Sequence, residues 1–218
     1  MSAAAEFAQA AAADGIELTR DPTFDWLCEQ GHVGLERVAK ARRDPAIVEP
    51  VKAALAVLAA IFAHLKGDPA VLHAARENLF VPVDLLHEPS GTLIAVDGPE
   101  HFTSARLTAL ELYPPAAALG FSLEEQRGLC LELRGETDAL GRGLAVKGFG
   151  FGGATRERAY HDALMDLGAP AMGHPPVVRV AAVDGDGAAA YARAEFRLPK
   201  RGAGGAARSA GGRRSRPR

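Results

Sequence analysis

The sequence predicts an α/β or α+β sandwich around a small sheet, with an N-terminal helical region packed on its core. Three observations carry this. From Pro22 to Glu77 apolar residues recur at helical spacing. The stretch NLFVPVDLLHEPSGTLIAVDG then sets two β-rich runs on either side of Glu88-Pro89-Ser90-Gly91. After more helical pattern, the apolar run VVRVAAV at 177–183 reads as a buried strand.

In chain order, residues 1–20 are expected to form a flexible N-terminus. Its first 18 residues carry Glu6, Asp14 and Glu17 but no Lys or Arg, unlike a secretory or transit sequence, so a cytoplasmic location is expected. Helical segments follow at Thr23–Glu29, Gly34–Arg42, Glu49–Lys66 and Pro69–Glu77. Asp44-Pro45 and Gly67-Asp68-Pro69 punctuate them, with proline at helix starts, where its missing N–H costs nothing. Phe24 and Trp26 are expected to pin this region to the core. The apolar run AALAVLAAIFAHL, 53–65, is shorter than a membrane span needs and reads as a buried helix, so no membrane partner is expected.

Proline second and glycine fourth in Glu88–Gly91 suit a type I turn, hence a hairpin with a four-residue loop. Further helices are expected at Ser104–Leu112, Leu123–Leu133, Thr155–Leu167 with Thr155 as N-cap, and Gly187–Arg197. No internal repeat is visible. The domain plan is a helical region over 21–76, an α/β core over 77–199 with a helical insertion at about 104–146, and a basic tail over 200–218.

Composition bounds the function. With 48% hydrophobic and 24% charged residues among 218, the chain is globular, of a size for one core. Cys28 and Cys130 make no metal-ligand spacing and are expected to be reduced thiols. The last nineteen residues carry seven basic groups and no acid, so removing those seven from the net charge of −2 leaves −9 on residues 1–199. A Gly/Ala/Arg/Ser tail cannot bury apolar surface and is expected to be disordered, either as a solubilising tail or as an arm for a polyanion.

The hairpin carries the candidate chemistry. A four-residue loop makes paired positions sum to 179, which sets Asp84 opposite Ala95 and Pro82 opposite Asp97. Period-two alternation then turns Asp84 and Asp97 to one side of the sheet as diagonal neighbours, roughly 7 to 8 Å apart, within reach of a shared hard cation. Gly98-Pro99 ends the strand and can swing His101 back, where an imidazole titrating near neutrality can act as a base on water. The plainer alternative is that Asp84 is a half-exposed strand residue, Asp97 holds a turn and His101 packs on the next helix.

The pair PVDLL and IAVDGPEHF resembles the central hairpin of the restriction-endonuclease-like PD-(D/E)XK superfamily, in the branch with very-short-patch repair endonucleases and RAP domains. In that branch an aspartate on the first strand precedes a second strand reading acidic-x-Asp-Gly-x-x-His; Asp84, Asp97 and His101 match it. The resemblance implies a restriction-endonuclease-like small mixed sheet flanked by helices, Mg²⁺ held by Asp84 and Asp97, catalysis by Asp84, Asp97 and His101, and a DNA or RNA partner. Ala95 stands where the branch has glutamate, and the superfamily's lysine is absent. An endonuclease-like hydrolase and a noncatalytic nucleic-acid- or protein-binding module of the same fold therefore both remain open.

Lys147, Arg156 and Arg158 are weaker candidates for phosphate contacts, or else solvated charges on a helix face. KGFGFGG contains GxGxxG at Gly148, Gly150 and Gly153, ahead of a helix and a strand ending in Asp184, which gives a third reading as a Rossmann-like ligand binder. The acid follows some thirty residues later rather than about twenty, so a loop ahead of the helix is the simpler account. His32, His64, His73, His87 and His174 form no metal-ligand spacing, and His161 reads as surface or core. No GxSxG, HExxH or P-loop occurs.

Overall fold

The computed structural model describes residues 1–76, 78–141 and 143–194. Its elements in order are α1 (Ala3–Ala13), β1 (Thr19–Arg20), α2 (Gly31–Arg42), α3 (Pro45–His64), α4 (Pro69–Ala74), β2 (Leu85–His87), β3 (Thr92–Asp97), α5 (Ser104–Glu111), α6 (Leu123–Leu140), α7 (Gly153–Ala171), β4 (Val178–Ala181) and α8 (Gly187–Ala194), with a 3₁₀ turn at Pro99–His101. The four strands form one mixed sheet in the order β1-β2-β3-β4, antiparallel up to β3 and parallel between β3 and β4. This is a mixed α/β architecture, as the patterning predicts.

Local chemistry sets the helix starts. Asp44 and Asp68 accept hydrogen bonds from the amides of Ala46 and Ala70, with Pro45 and Pro69 in the first helical turn. Thr103 and Ser122 cap α5 and α6 in the same way. The hairpin register is Leu85↔Ile94, Leu86↔Leu93 and His87↔Thr92, so paired positions sum to 179. Gly91 closes the loop at φ 72°, a left-handed conformation that glycine adopts without strain.

β3 is buried along its whole length, because helices cover both faces of the sheet. Leu93 and Ala95 join the main core with residues of α2, α3, α5 and α7, while Ile94 and Val96 join Phe7, Val178, Val180 and Tyr191 in a second cluster under α1 and α8. By alternation Asp84, Ala95 and Asp97 share the α7 side of the sheet. The parallel crossover from β3 to β4 runs through α5, α6 and α7, and brings Arg179 beside Ala95.

Residues 1–20, expected to be flexible, are instead built into the fold. Alanine is the strongest helix former, Ser2 caps α1, and burial of Phe7 against the sheet supplies what a short isolated helix lacks. α8 comes so close to α1 that a Cβ on Gly187 would lie 1.8 Å from the Ala3 carbonyl oxygen. Phe7 meets Tyr191 edge-on at 5.3 Å, and the Tyr191 hydroxyl donates to Asp14 at 2.8 Å.

The segment Thr23–Glu29 is not a helix. The Val81 amide donates to the Leu27 carbonyl at 3.0 Å and the Glu29 amide to the Leu79 carbonyl at 2.8 Å, so pairing with the chain ahead of β2 overrides local preference. Trp26 is buried in the main core beside Phe24, as expected of both. α6 extends to Leu140 rather than Leu133, and the Thr137 hydroxyl anchors its end to the Phe102 carbonyl at 2.7 Å. Among the described residues α3 is the one helix long and apolar enough to cross a membrane; it packs through Val51, Leu58, Ile61 and Phe62 and is exposed or half-buried elsewhere, so the run 53–65 is not the buried helix expected. The tail 200–218 and the end of the expected Gly187–Arg197 helix lie outside the described residues.

Phe7 is 0% exposed, so Phe7→Ala is expected to lower stability by about 3 to 5 kcal/mol, as large-to-small aromatic changes in a core do. Urea unfolding followed by circular dichroism measures it, and a loss under 1 kcal/mol would return residues 1–20 to the status of an appendage.

Candidate functional site

The site forms where β3 ends. Asp97, the last residue of β3, is 1% exposed. Gly98 continues in extended backbone, and the 3₁₀ turn Pro99–His101 folds the chain back so that His101 Nδ1 lies 3.6 Å from Asp97 Oδ1. From α7, Asp162 reaches the same imidazole, with its Oδ2 3.0 Å from His101 Nδ1. Asp97, His101 and Asp162 each offer a ligand atom within 4.8 Å of the others.

Arg179 lies at the centre of this group. Its side chain is 0% exposed, and its guanidinium donates from Nη1 to Asp97 Oδ1 at 2.7 Å, from Nη2 to Asp162 Oδ1 at 3.0 Å, and from Nε to Asp166 Oδ1 at 2.7 Å. Asp166, one helical turn beyond Asp162, also accepts from Arg106 Nη2 and from the Tyr113 hydroxyl, both at 2.7 Å. Arg106 in turn donates to the Tyr113 oxygen at 3.0 Å. Three aspartates, two arginines, a tyrosine and a histidine thus make one connected polar network inside the protein.

Asp84 lies opposite Ala95 by continuation of the register, and its Oδ2 accepts from the Val96 amide at 2.8 Å. Burial raises its pKa above the ordinary carboxylate range, the Val96 hydrogen bond opposes that, and the Asp97 charge adds to the rise. Burial would lower the His101 pKa, but the charges of Asp162 and Asp97 outweigh it and hold the imidazole above its usual value. For Asp162 burial works upward, yet Arg179 and then His101 hold the carboxyl well below its normal range.

One atom stands apart. Asp97 Oδ2 is buried and, among the described residues, has no hydrogen-bond partner. A buried carboxylate oxygen without a partner carries a large desolvation cost, so this oxygen is open to a proton or a cation. Asp97, His101 and Asp162 together are a group that could hold a metal ion.

The structure therefore brings Asp84, Asp97 and His101 to one end and one side of the sheet, and adds Asp162, Asp166, Arg106, Tyr113 and Arg179. For Arg179 the signal lies in the sequence itself: an arginine inside VVRVAAV, a strand buried on both faces, requires carboxylate partners. Asp162 and Asp166 carry a weaker signal, two acids one helical turn apart on an otherwise apolar face.

The basic candidates separate. Lys147 is exposed, Arg158 donates to the Glu100 carbonyl at 3.4 Å, and Arg156 donates to the carbonyls of Phe149 and Phe151. Arg156 is thus a staple for the glycine loop rather than a phosphate ligand. GFGFGG does not build a dinucleotide site, because residues 144–147 add no strand to the sheet; Val146 and Gly150 make an isolated antiparallel bridge instead. The Rossmann-like reading fails on that geometry.

Arg179→Ala would leave three buried carboxylates short of their cation, and a loss of roughly 3 to 5 kcal/mol is expected in denaturant unfolding. A loss below 1 kcal/mol would show that the network does not hold the fold. For His101 the pKa is raised in the folded chain, so its contribution is fully present below the unfolded value near 6.5 and is lost as pH rises through the higher folded value. An NMR titration in chelator is expected to place the imidazole above 6.5, and Asp162→Asn to bring it down; an unchanged midpoint in the variant would refute the pairing.

Compared with family models, curated proteins and solved structures, the chain matches none.

Proposed function

We propose that this chain is an endonuclease-like domain acting on nucleic acid by metal-assisted phosphodiester hydrolysis at Asp84, Asp97, His101 and Asp162. The observation that carries this reading is the buried, partnerless Asp97 Oδ2 beside a second carboxylate and an imidazole. Charge supports it: Asp84, Asp97, Asp162 and Asp166 face Arg106 and Arg179, and with His101 neutral two negative charges are left over, the charge of one divalent cation. The shifts of Asp84 and His101 toward their protonated forms are what such a site shows when protons do that balancing. The strand order also suits the resemblance, with the hairpin followed by helix and parallel strand.

Asp97 Oδ2 and the Asp84 carboxylate would hold the cation, with His101 at its margin. Such a cation polarises a phosphoryl oxygen and lowers the pKa of bound water. Asp162 fixes His101 by Nδ1 and leaves Nε2 to take a proton from an attacking water. Arg179 locks Asp97 through Oδ1, so that its second oxygen is the one presented to the ligand. The seven basic groups of the tail would supply the attraction for phosphate that the acidic body lacks.

A second reading, a noncatalytic nucleic-acid-binding module, is favoured by Arg179. It pairs in register with Ala95, where the resembling branch carries glutamate, and sets a fixed cation among the carboxylates.

Incubation of the full chain with single- and double-stranded DNA and RNA in Mg²⁺ or Mn²⁺ decides between the two. Cleavage abolished by EDTA is expected. Asp97→Asn should reduce it by more than the roughly 10- to 100-fold that losing an outer-shell partner costs, and His101→Ala by about 10² to 10⁴. Cleavage unchanged in Asp97→Asn sinks the site, and salt-sensitive binding without cleavage selects the module.

A further inference from the structure

A cavity of about 260 Å³ opens on the other side of α7, between the end of α4 and the glycine loop. Phe62, Phe149 and Tyr160 form its aromatic wall, ring against ring at 4.9 to 6.0 Å. Glu157 and His161 project into it from α7, and the exposed Lys147 and Arg76 stand at its rim together with the exposed Glu29 and Asp68. Among the described residues neither the Glu157 carboxylate nor the His161 ring makes a hydrogen bond or ion pair with the protein. Burial and then Glu29 raise the Glu157 carboxyl, so it gains by receiving hydrogen-bond donors.

The cavity lies just below the roughly 300 Å³ at which sites for drug-sized ligands begin, which suits one base with part of its sugar. Its polar groups select within that class. A carboxylate that needs two donors matches the edge of guanine, which presents adjacent N1–H and N2–H groups; uracil offers a single N–H between two carbonyls. Aromatic and imidazole side chains are the surfaces on which unpaired bases settle.

Position ties this cavity to the carboxylate site. Glu157, Tyr160 and His161 face the cavity, while Arg158 and Asp162 face the 3₁₀ turn and Arg179. Both therefore lie against α7, on different faces of the one helix.

We infer that this cavity seats an unpaired guanine of the same strand whose phosphodiester the carboxylate site addresses. The strand in this inference rests on the function proposed above; the cavity's preference for guanine stands on its own lining.

Calorimetry of the full chain in EDTA with 5′-GMP, 5′-UMP and ribose 5-phosphate tests it apart from cleavage. GMP is expected to bind at least tenfold more tightly than the other two. Glu157→Gln, which sets an amide donor against a base donor, should remove that preference. Lys147→Ala, at an exposed position, should weaken all three in parallel and leave the preference standing. Equal binding of GMP and UMP overturns the inference, as does a preference that survives Glu157→Gln in a variant with unchanged circular dichroism. Asp97→Asn should bind GMP as the parent does. Cleavage without a GMP preference would sink the guanine site alone, and a GMP preference without cleavage would sink only the hydrolytic reading.

Discussion

A buried arginine sets the terms for the rest of this molecule. The guanidinium of Arg179 lies in the interior with carboxylates from β3 and α7 around it, and a charge removed from water so fully is tolerable only if its donors are met. Asp97 at the end of β3, and Asp162 and Asp166 on α7, meet them. The sheet and the crossover helix are thereby held in one register, since a shift of either would strand charges. Arg106 and Tyr113 extend the same constraint to α5 through Asp166.

The candidate chemistry follows from what this network leaves unsatisfied. Arg179 takes one oxygen of Asp97 and leaves the other buried without a hydrogen-bond partner among the described residues. His101, held by Asp162, sits at the partly open margin with its side chain 23% exposed. The cavity across α7 repeats the pattern, with Glu157 and His161 turned inward and no hydrogen-bond partner for them among the described residues.

Much of the hairpin was legible from local rules. Loop length and side-chain alternation set the register, and Asp84, Asp97 and His101 could be placed from it because they lie within 18 positions of one another. The N-terminal elements were not, because their stability comes from contacts distant in sequence. α1 is secured by Phe7 against the sheet and by Tyr191 of α8, and the stretch around Trp26 is a turn leading into a bridge with residues 79–81. Neither contact leaves a periodic trace in the segment concerned. GFGFGG showed the reverse error: a short pattern with a known chemistry meant nothing without the preceding strand that would have aimed its amides.

By itself the sequence determined the hairpin, its register, the side to which Asp84 and Asp97 point and the turn that returns His101, since each depends on neighbouring residues and on a period of two. Tertiary structure alone decided that Asp162 and Arg179 complete the group. They enter it through a parallel crossover spanning some 80 positions, and only close packing of α7 on the sheet makes a helix acid and a strand arginine neighbours of the aspartate that ends β3.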